Sequence, residues 1–184
     1  DTNGHFPNTF PSVIQFETTC NRLGISNDSK VVIIDRLGIY TSPRIWFLFK
    51  AMGHESVAIL DGGLPAWIDE GYEIVDQPNV QIKKGNFCAR FNLRFVKSIE
   101  DIAENITSGN SILIDARSSD RFFSLVLEPR PEIRNGNILN SINIPLQSLL
   151  NGYKFKSVQE LSLIFEEHNI GDRPLIFSCG SGVT

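Results

Sequence analysis

Ser157-Val158-Gln159-Glu160-Leu161 opens a segment that closes on Leu175-Ile176-Phe177-Ser178-Cys179, and the reading of this segment decides the fold. A serine followed by an amphipathic run to Ile170 predicts a helix. Gly171 to Pro174 predicts a turn, and the apolar run beyond it predicts a short buried strand. The same succession occurs at an offset of 145 residues. There Ser12-Val13-Ile14-Gln15-Phe16 begins the helical pattern, which runs to Ile25. Asn27 to Lys30 makes the turn, and Val31-Val32-Ile33-Ile34-Asp35 makes the strand. A helix-loop-strand unit used twice is an internal repeat. It puts Asp35 and Cys179 at corresponding strand ends to within one residue.

Between the copies, strands and helices alternate. Ser42 reads as the cap of a helix with Pro43 in its first turn, running from Arg44 to Met52 and stopping at Gly53. Val57 to Leu60 is an apolar run of strand type, and Pro65 to Glu70 is a short helix ended by Gly71. Phe87, Ala89, Phe91, Leu93 and Phe95 alternate with polar residues, a period of two that predicts an extended linker strand. Ser98 then opens a helix to Asn105, followed by a strand from Ile112 to Asp115, a turn at Ser118 to Asp120 and a strand from Ile142 to Ile144. The alternation predicts an α/β fold with a mainly parallel sheet in each half. The expected organisation is a partial first domain over 1–78, an interdomain linker over 79–97 and a partial second domain over 98–184. On the repeat, each half lacks counterparts of segments found in the other, so the chain reads as cut at both ends.

Composition removes several classes of function. The net charge of −4 over 184 residues, with no run of Lys or Arg, gives no footprint for nucleic acid. The longest apolar stretches, Val31 to Ile34 and Ile45 to Phe49, are far shorter than the roughly 20 residues of a membrane helix. Three cysteines without close spacing suggest neither a disulfide framework nor a zinc site. A reducing compartment follows, the cytoplasm or, in a eukaryote, the mitochondrial matrix. Cys20 shares a helix face with Val13, Phe16 and Leu23 and reads as core. Cys88 falls on the polar side of the linker strand. His54 reads as a loop or capping residue, and Trp46 and Trp67 as packing anchors.

Chemistry concentrates at Cys179. The residue leaves a buried strand and enters the loop Gly180-Ser181-Gly182-Val183-Thr184. Two glycines let that backbone turn its N–H groups toward one point. Such a site stabilises a thiolate, drawing a cysteine pKa from about 8.5 toward roughly 3.5–7.5.

The loop Cys179-Gly180-Ser181-Gly182-Val183-Thr184 resembles the active-site loop of the 3-mercaptopyruvate sulfurtransferases, tandem members of the rhodanese (thiosulfate sulfurtransferase) family. Asp115-Ala116-Arg117, Arg121-Phe122, Glu128-Pro129-Arg130 and Ile142-Asn143-Ile144-Pro145 follow the order and spacing of that family's catalytic domain. Ser42-Pro43-Arg44, Gly53-His54 and Leu60-Asp61-Gly62-Gly63-Leu64-Pro65-Ala66-Trp67 are similar to its non-catalytic domain. The resemblance implies two rhodanese-like domains, of which only the second carries the cysteine. It also implies catalysis by Cys179 and Ser181, and substrate binding by Arg121, Arg130, Gly180, Gly182, Val183 and Thr184. The two arginines would grip the donor carboxylate and carbonyl, because a planar guanidinium offers paired N–H groups. Arg117 reads instead as a brace for the loop or sheet edge, and Asp35 as a structural counterpart of Cys179.

Two departures from the family stand out. Asn8 in Asn8-Thr9-Phe10-Pro11 replaces a histidine that would partner Ser181, and His5 is not aligned with it. Gly136-Asn137-Ile138-Leu139-Asn140 replaces a glycine-bounded turn. The expected activity moves sulfur from 3-mercaptopyruvate through a persulfide on Cys179, using no metal or organic cofactor. The acceptor is a thiol, such as a thioredoxin-like protein, or cyanide. Transfer from thiosulfate is the nearest alternative, although its donor is a dianion and this loop is uncharged. A phosphatase of related fold needs an arginine at position 185, beyond this sequence, and the pair Arg121 and Arg130 argues against it. A non-enzymatic persulfide-relay or interaction module is the alternative of another class.

Overall fold

The computed structural model describes residues 8–75, 81–130, 133–180 and 182–183. The chain divides into two compact units, the first running to Val96 and the second starting at Lys97.

In the first unit, α1 (Val13–Arg22) begins with a capping box. The Ser12 hydroxyl accepts from the Gln15 N–H, and the Gln15 side chain accepts from the Ser12 N–H. Its buried face, Phe16 and Cys20, meets Leu48, Phe49, Met52 and Phe87 in one apolar cluster. Strands β1 (Val31–Ile33) and β2 (Val57–Ile59) pair in parallel, with Val31 opposite Val57 and Ile33 opposite Ile59. Parallel neighbours need a crossover, and α2 (Ser42–Ala51) supplies it. The helix starts one residue earlier than its sequence suggests. Thr41 is the N-cap and Ser42 is already helical and buried. At this end the Asp35 carboxylate accepts the N–H groups of Thr41 and of Ser42 itself.

Helix α3 (Gly63–Asp69) explains the Asp61-Gly62-Gly63-Leu64 string. Gly62 and Gly63 both hold positive φ, and a Cβ on Gly63 would press on the carbonyl oxygens of Asp35 and Gly38. That close approach lets the Leu64 N–H donate to the Asp35 carbonyl at 2.8 Å.

The period of two over Phe87 to Phe95 does not make a strand. Phe87 is core, and its N–H donates to Asn21 Oδ1, while the Cys88 and Ala89 N–H groups donate to Asn27 Oδ1 and Glu17 Oε1. Arg90 and Asn92 donate to the Met52 and Ala51 carbonyls at the end of α2, and Leu93–Phe95 forms a short 3-10 turn. Alternation is satisfied by lying against two helix ends, so the described residues from 81 to 96 belong to the first unit. His54 closes the end of α2 as expected, its N–H donating to the Phe49 carbonyl at 2.9 Å. It is 2% exposed and its ring packs against Phe49 and Phe87.

The second unit centres on β3 (Ile112–Asp115), buried throughout, with β4 (Ile142–Asn143) on one side and β7 (Leu175–Ser178) on the other, all parallel. A strand buried along its whole length reads as a continuous apolar run, as Ile112-Leu113-Ile114 does. Ile112, Ile114, Ile144 and Ile170 form its core. Helices α4 (Ile99–Ser108), α5 (Ser119–Phe122) and α6 (Val158–Glu167) complete the unit, together with a small hairpin, β5 (Leu150–Asn151) and β6 (Lys154–Phe155), turning at Gly152. Helix α6 repeats the device of α1, ten residues opened by a serine capping box, here Ser157 with Glu160. Each of the two helices leads into a parallel strand.

At the end of β1 the Asp35 carboxylate collects a ring of donors: the N–H groups of Leu37 (3.0 Å), Tyr40 (3.1 Å), Thr41 (2.5 Å) and Ser42 (2.9 Å), and the Thr41 hydroxyl (3.0 Å). Burial pushes the carboxyl pKa up, but the four backbone donors together outweigh it and hold the group at about 2. A depressed carboxyl stabilises the fold above its ordinary pKa of 3.8, and this is lost as the pH falls toward 2. The shift corresponds to about 2 kcal/mol. Asp35→Asn should therefore cost the first unit about 2 kcal/mol at neutral pH and remove its loss of stability between pH 4 and 2. Urea unfolding followed by fluorescence reads this unit, since it carries both tryptophans, Trp46 and Trp67. Unchanged stability at neutral pH would show the ring to be dispensable.

Candidate active site

Strand β3 ends at Asp115 in register with Ser178 at the end of β7, and the Ala116 N–H donates to the Ser178 carbonyl at 2.8 Å. Everything beyond these two strand ends gathers around Cys179. Its Sγ accepts a hydrogen bond from the Gly182 N–H at 3.0 Å, with Gly182 in the left-handed region at φ 69°. The loop has begun to close on the sulfur as the loop of the first unit closes on Asp35. Gly182 and Val183 are half-buried, as is Cys179. Ser181 and Thr184 lie outside the described residues, as does His5.

The walls are built on a charged network. Asp115, 2% exposed, accepts the backbone N–H of Arg117 at 2.9 Å and its guanidinium through both carboxylate oxygens, at 3.0 Å from Nε and 2.6 Å from Nη2. Arg117 continues through Nη1 to Glu128 Oε1 at 2.8 Å and through Nη2 to the Gly136 carbonyl at 2.8 Å. Arg117 thus braces the sheet edge, as its sequence context suggests. Glu128 is shared, because Arg121 also donates to it, at 2.6 Å from Nη2 and 3.2 Å from Nε. The hydrogen bond from Arg121 is the main cause that draws the Glu128 pKa below the usual carboxylate range, and the bond to Asp115 is the main cause that raises that of Arg117. Glu128 and Arg117 therefore both stay charged.

Gly180 is where the network meets the loop. A Cβ at this position would overlap Arg121 Nη2 and stand 2.9 Å from Nη1, so the guanidinium occupies the space any side chain would need. From another direction Arg130 Nη2 donates to the Gly180 carbonyl. Arg121 and Arg130 thus both contact the residue after Cys179, and neither lines the cavity beside the sulfur. In this structure they hold the loop and Glu128.

A cavity of about 490 Å³ opens beside the sulfur, lined among others by Asp115, Arg117, Glu128, Arg134, Ser178, Cys179 and Gly180. Two contributors escaped sequence reading. Arg134 sits in the wall, in a stretch without periodicity or motif signal. Asn143 donates through Nδ2 to the Asp115 and Arg117 carbonyls, both at 2.9 Å, and accepts from the Ser119 hydroxyl, clamping the turn that carries Arg121. Its place in Ile142-Asn143-Ile144-Pro145 was the available signal. Among the described residues, no cluster of three His, Cys, Asp or Glu side chains could hold a metal, and no helix is long and apolar enough to cross a membrane.

A parallel α/β sheet in each unit, with a cysteine at a strand end entering a glycine loop, defines a class of fold that known proteins share. The chain belongs to the rhodanese-like family. The model of the rhodanese-like domain matches residues 5–70. The rat 3-mercaptopyruvate sulfurtransferase is 36% identical over 188 residues, covering all of this chain and 63% of that protein. The mouse thiosulfate sulfurtransferase is 35% identical over 191 residues with the same coverage. The crystal structure of the Escherichia coli 3-mercaptopyruvate sulfotransferase SseA superposes with a TM-score of 0.86 at 31% identity, covering all of this chain and 69% of that one. The chain thus spans about 63% of the length of the first two relatives.

The geometry predicts that Gly180 and Arg121 are coupled. Gly180→Ala must dislodge a guanidinium tied to Glu128, so it should destabilise the second unit by about 2 kcal/mol, within the usual range for overpacking. In the Arg121→Ala background the same change should cost less than about 0.5 kcal/mol, because the obstructing group is gone. Denaturant unfolding of the four proteins measures the coupling, and additive effects would contradict the close packing.

Proposed function

We propose that this chain carries the sulfur-transfer centre of a 3-mercaptopyruvate sulfurtransferase, with residues 98–184 as the catalytic rhodanese-like domain and the first half as its non-catalytic counterpart. The observation that carries this reading is the Gly182 N–H on Cys179 Sγ, in a loop flanked by arginines and open to a cavity. Backbone N–H groups directed at sulfur favour the thiolate over the thiol. The first unit supports the point, since its equivalent loop holds a full negative charge on Asp35.

In the first half-reaction the Cys179 thiolate attacks the sulfur of 3-mercaptopyruvate. A sulfur–sulfur bond forms and the sulfur–carbon bond breaks, with its electron pair passing to the enolate of pyruvate. The proton stays on the outer sulfur, leaving a persulfide on Cys179, and the enolate takes a proton from solvent. In the second half-reaction a thiolate attacks the outer sulfur, departs as a persulfide and restores the Cys179 thiolate. Cyanide does the same and leaves as thiocyanate after losing the transferred proton. This is covalent catalysis in two displacements, and it uses no cofactor. A thiol acceptor, such as a thioredoxin-like dithiol, fits a reducing compartment.

Arg121 and Arg130 are assigned to the donor's carboxylate and carbonyl. Their guanidinium groups already converge at Gly180, and a donor carboxylate would compete for N–H groups now given to Glu128 and the Gly180 carbonyl. Gly180, Gly182, Val183 and Thr184 would supply the loop backbone around the sulfur, and Ser181 the hydroxyl that handles its proton.

Steady-state rates with 3-mercaptopyruvate and with thiosulfate test the reading. The expected result is a higher kcat/KM for 3-mercaptopyruvate and loss of both activities in Cys179→Ser, because a hydroxyl is a poor nucleophile toward sulfur and cannot carry a persulfide. A preference for thiosulfate would overturn the donor assignment, and activity retained in Cys179→Ser would overturn the mechanism.

A further inference from the structure

We propose that Arg134 is the cation that draws anionic donors into the Cys179 cavity and decides how far the site accepts a dianion beside a monoanion. This rests on the sulfur-transfer reading and assigns it a specificity-determining residue outside the loop. The loop is uncharged, so discrimination by donor charge has to come from the walls. Among the described residues, four charged side chains line the cavity with Cys179: Asp115, Glu128, Arg117 and Arg134. Asp115 is paired with Arg117, and Glu128 with Arg117 and Arg121, so Arg134 supplies the positive charge that this network does not already balance.

The other cations nearby are engaged. Arg117 directs Nε at both oxygens of Asp115, Nη1 at Glu128 and Nη2 at Asp115 and the Gly136 carbonyl. Arg121 is held on Glu128 and Arg130 on the Gly180 carbonyl. Among the described residues, no ion pair takes Arg134. It lines the cavity while remaining exposed, on a long side chain able to follow an incoming donor.

An exposed cation acts on a passing anion through a screened field, with an energy proportional to the charge on the anion. If it helps a monoanion about threefold, within the range of exposed charge pairs, it helps a dianion about ninefold, the square of that factor. Mercaptopyruvate enters as a carboxylate monoanion and thiosulfate as a dianion, so removing Arg134 should separate them.

The test has two arms, run on the intact chain and on Arg134→Gln and Arg134→Lys. In the first, Cys179 is alkylated with anionic iodoacetate and with neutral iodoacetamide, and the modified peptides are quantified by mass spectrometry. The exposed Cys88, carried on the other unit, serves as internal reference. Arg134→Gln should lower the iodoacetate-to-iodoacetamide rate ratio at Cys179 about threefold and leave Cys88 unchanged. Arg134→Lys should restore the ratio, and high salt should erase the difference. In the second arm, Arg134→Gln should raise KM about ninefold for thiosulfate and about threefold for 3-mercaptopyruvate, with little change in kcat. An unchanged alkylation ratio at Cys179 overturns the role of Arg134 whatever the turnover. A shifted ratio with neither donor turned over upholds the cation and overturns the sulfur-transfer reading instead.

Discussion

One carboxylate shared between two guanidinium groups determines the shape of the site. Glu128 bonds Arg117, which is locked to Asp115 at the end of β3, and Arg121, which presses against Gly180 in the cysteine loop. With its side chain only 4% exposed, Glu128 would be costly as a lone charge, and so would either arginine once the other partner was removed. The three groups are stable only together. Their geometry transmits the position of the central strand to the residue next to the nucleophile. That gives a physical reason for glycine at position 180: the space for a Cβ is filled by the Arg121 guanidinium while it is held on Glu128.

The two units end a parallel strand in a similar way around two different side chains. A parallel strand ends, the backbone turns back on itself, and its N–H groups point at the first side chain of the loop. In the first unit that side chain is a carboxylate, which takes four backbone donors and a hydroxyl and becomes structural. In the second it is a thiol, whose sulfur receives the Gly182 N–H. A carboxylate in such a ring is satisfied and inert toward sulfur, whereas a thiolate in the same field is stabilised and remains nucleophilic. On the proposed function, the division between a structural half and a chemical half comes down to Asp35 against Cys179.

Much of this was readable from residues alone, and the failures have physical causes. The parallel strands were visible as continuous apolar runs, although only β3 is buried on both faces and β1 and β7 leave Val32 and Phe177 exposed, and the two serine-capped helices because a capping box is local chemistry. Cys179 could be singled out because the strand end and the glycines are written in the chain, whereas Arg121 and Arg130 came only from the family resemblance. The segment from Phe87 to Phe95 misled because a period of two records only that alternate side chains are buried. Here they lie against the ends of α1 and α2, with no neighbouring strand. His54 was legible as the residue that closes α2, whereas the burial of its ring depends on Phe49 and Phe87, which only the packing shows. The sharing of Glu128, and the place of Arg134 in the cavity wall, depend on the path of the chain from 123 to 137, which has no periodic pattern.

The central claim is that sulfur passes through Cys179 itself, and a single-turnover experiment tests it most directly. The chain is mixed with 3-mercaptopyruvate in the absence of any acceptor, quenched, and mapped by mass spectrometry while pyruvate is measured in the same sample. The account predicts one added sulfur atom on the Cys179 peptide, none on the peptides of Cys20 or Cys88, and one pyruvate for each persulfide, with the sulfur lost on adding a thiol or cyanide. Pyruvate formed without sulfur on Cys179, or sulfur appearing on another cysteine, would contradict it.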